Sequence, residues 1–132
     1  MSSFLLHAGS VAVEHPEGEC HLVGFADQAF DTTAYLLLQR AFAFDEQDVA
    51  LGMDTYHVEW SGQEISGYGG ISQFLLSRSH ARITFAPDSP MARGGMAVLT
   101  IVFQLVPSEY LALQDALHHI FQGSDCHFVA DP

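Results

Sequence analysis

Pro107-Ser108-Glu109-Tyr110-Leu111-Ala112-Leu113-Gln114-Asp115-Ala116-Leu117-His118-His119-Ile120-Phe121-Gln122, closed by Gly123, is the stretch on which the fold class turns. Tyr110, Leu113, Leu117, Ile120 and Phe121 recur at three- and four-residue spacing, which gathers them on one face of a helix. Pro107 or Ser108 starts it, Glu109 puts an acid in the first turn, and His118 and His119 stand in the last. Gly123 falls where a C-cap belongs. A helix with one apolar face must be laid on something, and the remainder of the chain reads mainly as strands. The spacing therefore predicts an α+β domain over residues 1–132: a mostly antiparallel sheet with one amphipathic C-terminal helix packed on it.

Upstream of the helix, Met96–Val106 is rich in β-branched residues and reads as a strand. Pro87–Gly95, with two prolines and two glycines, reads as a loop and a candidate mobile insertion. Ile71–Ser77 and Arg82–Ala86 are strands around the turn Arg78-Ser79-His80-Ala81. Phe4–Glu14 and Cys20–Asp27 make a hairpin around His15-Pro16-Glu17-Gly18, with Gly24 suggesting a bulge or a close backbone approach. Asp27–Thr33 is a polar connection. Tyr35–Phe44 fits a strand or a helix, and length does not decide between them. The strand reading, with Tyr35, Leu37, Phe42 and Phe44 alternating, puts Arg40 on the solvent side of an edge. Downstream of the helix, Cys126–Val129 reads as a final short strand.

The densest polar detail lies between Phe42 and Ile71. Asp45 suits a helix N-cap, with Asp48 three residues on, before a stop at Gly52. Tyr56, Val58 and Trp60 alternate with His57 and Glu59, as in a half-buried strand. Ser61-Gly62-Gln63 reads as a turn, and Ser66-Gly67-Tyr68-Gly69-Gly70 as a glycine-rich turn with an exposed tyrosine.

Charge narrows the function. Sixteen Asp and Glu oppose four Arg, a net of −12, and charged residues are only 15% of the chain against a typical value of about 25%. Nucleic acid and anionic membrane surfaces are excluded as partners, because both need a basic face. A basic protein remains an apt partner, and so does the bland reading in which acidity serves solubility. No signal peptide or membrane span is legible, so a cytoplasmic protein is expected, with Cys20 and Cys126 reduced.

No catalytic signature stands out. His118 and His119 are neighbours on a helix and point about 100° apart, so they do not share an ion. Cys20 and His21, neighbours in a strand, face opposite ways and make no nucleophile–base pair. Asp45, Glu46, Asp48, Asp54 and Glu59 do not match a calcium loop, and capping and solvation explain Asp45 and Asp48 as well as function does. Gly67-Tyr68-Gly69-Gly70 lacks the lysine of a phosphate loop. Neither a cofactor nor a metal is expected.

Val23-Gly24-Phe25-Ala26-Asp27, Tyr35-Leu36-Leu37-Leu38-Gln39-Arg40 and Phe44-Asp45-Glu46-Gln47-Asp48 carry a resemblance. So do Leu51-Gly52-Met53-Asp54, Tyr56-His57-Val58-Glu59, Gln63 and Gly67-Tyr68-Gly69-Gly70-Ile71. Together they resemble the immunity protein 10 family of bacterial polymorphic toxin systems, over roughly the middle half of the chain. The resemblance implies a small α+β protein that binds its cognate toxin domain and neutralises it without chemistry. The acidic surface suggests that this toxin domain is basic. The expected contact residues are Asp45, Glu46, Asp48, Asp54, Glu59, Trp60 and Tyr68, with Gln63 secondary. Two other readings compete. A small enzyme, with or without a divalent metal, requires Asp45, Asp48 and Asp54 to converge in a deep pocket. A homo-oligomeric module requires exposed apolar strand edges.

Overall fold

The computed structural model describes residues 3–15, 18–61 and 65–131. Among them the chain runs β1 (Ser3–His7), β2 (Ser10–Glu14), β3 (Cys20–Ala26), β4 (Tyr35–Ala41), α1 (Glu46–Ala50), β5 (His57–Trp60) and β6 (Ser66–Tyr68). It continues through β7 (Ile71–Leu76), β8 (His80–Phe85), α2 (Pro90–Arg93), β9 (Val98–Val102), α3 (Pro107–Phe121) and β10 (His127–Ala130). The fold is α+β as expected, and its strands divide into two five-stranded sheets. Sheet A has the order β1-β9-β8-β7-β10 and sheet B the order β2-β3-β4-β5-β6. Sheet B is antiparallel throughout, while β1 and β10 join sheet A parallel to β9 and β7.

The anticipated strand Phe4–Glu14 divides between the sheets at Ala8-Gly9. The Ala8 N–H still donates to Val102 of β9 (2.8 Å), whereas the Gly9 N–H donates to Asp27 at the end of β3 (3.2 Å). A Cβ on Gly9 would lie 2.6 Å from the Asp27 carbonyl oxygen, so only glycine allows the chain to cross there.

One core joins both sheets to α3. Val23, Phe25, Leu36 and Leu38 of sheet B and Phe74, Ile83, Leu99 and Ile101 of sheet A are fully buried. The helix contributes Tyr110, Leu113, Ala116, Leu117, Ile120 and Phe121 from the face that its spacing predicts. Phe121 meets Tyr56, immediately before β5 of sheet B, edge-on at 5.0 Å and Phe74 of sheet A at 5.3 Å, so one ring ties the layers together. Pro107 opens α3, the Glu109 carboxylate accepts from the Val106 N–H (3.0 Å), and Gly123 follows its end with φ +74°.

Several local expectations change. Residues 35–41 are a strand, but β4 is central and its buried positions are Leu36 and Leu38, not Tyr35 and Leu37. Arg40 shares that inner phase. Its guanidinium donates to the carbonyls of His119 (3.1 Å), Ile120 (3.3 Å) and Gln122 at the negative end of α3, and lies over the Phe44 ring. Gly24 pairs in unbroken register with Ala12 and Leu37, so there is no bulge. Residues 87–95 are not a plain loop: they hold α2, capped by the buried Ser89, with Met91 in the core and Met96 buried just beyond. Ser66–Tyr68 is an edge strand paired with β5, not a turn. The turn lies at Gly69 and Gly70, both with positive φ. The turns expected at Pro16-Glu17 and Gly62-Gln63, and the secondary contact Gln63, lie outside the described residues.

Candidate functional site

Alternation sends Val58 and Trp60 of β5 inward and His57 and Glu59 outward. Register then sets outward-facing Tyr68 of β6 opposite His57, where the rings meet edge to face at 4.9 Å. Tyr68 is 45% exposed. On the same face, Glu59 accepts a hydrogen bond from the Tyr35 hydroxyl of β4.

After β4 the chain rises through Phe42–Phe44 into α1. Here the N-cap geometry forms in full: the Asp48 N–H donates to Asp45 Oδ1 (2.8 Å), and the Asp45 N–H donates to Asp48 Oδ2 (3.0 Å). The helix buries no residue, and Asp45 and Glu46 are exposed. Asp48 is half-buried because it faces a cleft of about 240 Å³ between α1 and the outer face of sheet B. Phe44, Met53, His57, Tyr68 and Gln39 also line it.

The sequence-predicted residues thus separate. Asp48 and Tyr68 share this cleft, Glu59 stands on the same sheet face, and Asp45 and Glu46 lie on α1 above it. Asp54 lines a different opening of about 470 Å³, with Asp88, Asp125 and the backbone of Gly69 and Gly70. Trp60 is half-buried against the core. Phe44, Met53 and His57 were not singled out by sequence reasoning. The outward phase of His57 was visible, but its position beside Tyr68 depends on the β5–β6 pairing.

Chemically the site offers little to catalysis. Asp45, Asp48 and Asp54 do not converge. Among the described residues, no group of three or more His, Cys, Asp or Glu is placed to hold a metal ion. Burial pushes the Cys126 thiol up to about 12, so it stays protonated at neutral pH. Burial also raises the Tyr56 hydroxyl, which accepts from the Ile71 N–H (2.9 Å) as a structural group. Both cysteines are free. No described helix is long and apolar enough to cross a membrane.

The arrangement sets carboxylates on a short exposed helix beside a sheet face that carries an accessible tyrosine. Neither a curated protein nor a solved structure matches the chain. The family model described as Immunity protein 10 matches residues 7–119, from the end of β1 through most of α3, which takes in all of sheet B and the α1 cleft. On that match the chain belongs to the Immunity protein 10 family.

Proposed function

We propose that this chain binds a cognate toxin domain and neutralises it by occupation alone, without chemistry. The observation that carries the reading is the family match over residues 7–119, since membership implies toxin neutralisation by a protein that is typically non-enzymatic. The proposed contact surface is α1 with the outer face of sheet B. Asp45, Glu46 and Asp48 supply charge, Glu59 extends it, and Tyr68 supplies aromatic area. Asp54 extends the surface toward its neighbouring opening, and Trp60 supports β5 from the core side. The proposed partner is a basic domain, because the chain carries −12 and the α1 acids accept no basic side chain of their own among the described residues. The complex is proposed to form in the cytoplasm of the producing cell.

The test is expression of the gene product encoded directly upstream, with and without this chain, scored by growth and co-purification. Growth arrest relieved by a stable complex is the expected result. Absence of both arrest and complex overturns the reading. The competing enzyme reading loses its structural premise, because Asp48 and Asp54 line separate openings and Asp45 lines neither.

A further inference from the structure

We propose that the cleft between α1 and the outer face of sheet B receives one arginine side chain of the toxin domain, paired with Asp48 and stacked on Tyr68. The inference rests on the neutralisation reading and assigns the group that the toxin presents.

Size comes first. Pockets for small-molecule ligands run to about 300–1,000 Å³. This cleft, at about 240 Å³, suits a single large side chain better.

Charge comes next. Asp48 is half-buried and uses Oδ2 on the Asp45 N–H, while Oδ1 makes no hydrogen bond among the described residues. Asp45 and Glu46 add negative potential at the rim. Arg40 also lines the cleft, but its Nη1 donates to three carbonyls at the C-terminal end of α3, and among the described residues it makes no ion pair with Asp48. A cation entering from outside therefore meets a half-buried carboxylate that has no ion-pair partner among the described residues, in surroundings where an ion pair is stronger than on open surface.

The walls choose among cations. Arg40 already covers Phe44 at 5.3 Å, so Tyr68 offers the accessible ring, with Met53 as a polarisable neighbour. A planar guanidinium can take a carboxylate with its fork and lie on an aromatic face at the same time. An ammonium cannot match both, and arginine is enriched among the anchors of interfaces.

The experiment measures binding by calorimetry, using a catalytically silenced copy of the toxin domain encoded upstream. Asp48→Asn keeps an oxygen for the cap and removes the charge, and it should weaken binding about ten-fold or more. Tyr68→Ala should do the same and Tyr68→Phe should not, while Arg82→Ala on sheet A should bind as the parent does. Replacing each surface arginine of the toxin by lysine should reveal one whose loss is not additive with Asp48→Asn. If the parent protein binds and protects while Asp48→Asn and Tyr68→Ala bind equally well, the arginine pocket is overturned and neutralisation stands. The pocket also falls if every toxin arginine adds independently to Asp48→Asn. If the parent neither binds nor protects, the neutralisation reading falls and the pocket with it.

Discussion

Arg40 joins sheet B to the end of α3, and its loss should be felt far from β4. Helix C-termini leave carbonyls without intrahelical partners, and this guanidinium satisfies three such acceptors from a half-buried position. Arg40→Met keeps the aliphatic stem and removes those bonds. It should lower stability by about 2–3 kcal/mol in urea unfolding. The role was not legible in the sequence, because Leu36, Leu37 and Leu38 are apolar in both phases of the strand. Only the distant end of α3 decides which phase is buried. His21 has the same inner phase. Its ring is flanked by His15 (5.1 Å), Phe42 (4.6 Å) and His119 (4.8 Å), and its buried Nδ1 has no hydrogen-bond partner among the described residues. Desolvation foremost, then His119, His15 and Arg40, hold its pKa below 6.5, while Asp115 opposes them weakly. A histidine depressed in the folded state favours folding while it is neutral. Its contribution is therefore full above about pH 6.5 and is lost as the pH falls through the unfolded value toward the folded one. His21→Phe keeps an aromatic ring in the stack. The stability difference between variant and parent should shift in the variant's favour on acidification below 6.5, and pH-independent parallel curves would contradict this.

Elements differ in how much of their stability is their own. The boundaries and buried face of α3 were legible because fifteen residues of 3.6-periodicity and a C-terminal glycine agree. The cap of α1 was legible for a similar reason, since Asp45 and Asp48 bond only across one turn. Nothing local announces β6: Ser66-Gly67-Tyr68 has turn composition and becomes a strand through pairing with β5. Likewise Gly9 divides β1 from β2 through a contact with Asp27 that spacing cannot express. These differences predict different mutational costs. Asp45→Ala should cost α1 about 1 kcal/mol, read as faster amide exchange over residues 46–51. The global melt should hardly move, because α1 buries no residue. Gly70→Ala is the opposite case. Its φ is +92° and an added Cβ would lie 2.9 Å from the Ser89 Cβ, against the cap that anchors α2. Roughly 2 kcal/mol or more of global destabilisation is expected, the left-handed penalty plus the clash. Gly123→Ala, at φ +74° with open space around it, should cost only about 1 kcal/mol.

Across the whole molecule the charge is unevenly laid out. The strands of sheet A contain no Asp or Glu, those of sheet B contain only Glu14 and Glu59, and α1 with its cap carries Asp45, Glu46 and Asp48. Under the proposed reading, a basic toxin domain approaching a chain of net −12 is attracted at long range and turned toward the α1 side before contact. Such steering acts on the encounter, and it is screened as the Debye length contracts from about 30 Å at 0.01 M salt to under about 10 Å above physiological strength. The contacts in the cleft, once formed, are shielded from that screening. Association with the toxin domain should therefore slow by about ten-fold or more between roughly 0.01 and 0.5 M salt, while dissociation changes much less. Stopped-flow mixing reads both rates. Replacing Asp45 and Glu46 together by Asn and Gln should flatten the salt dependence of the association rate and leave dissociation close to that of the parent. An association rate indifferent to salt would mean that the −12 charge serves solubility and that the toxin is found by shape alone.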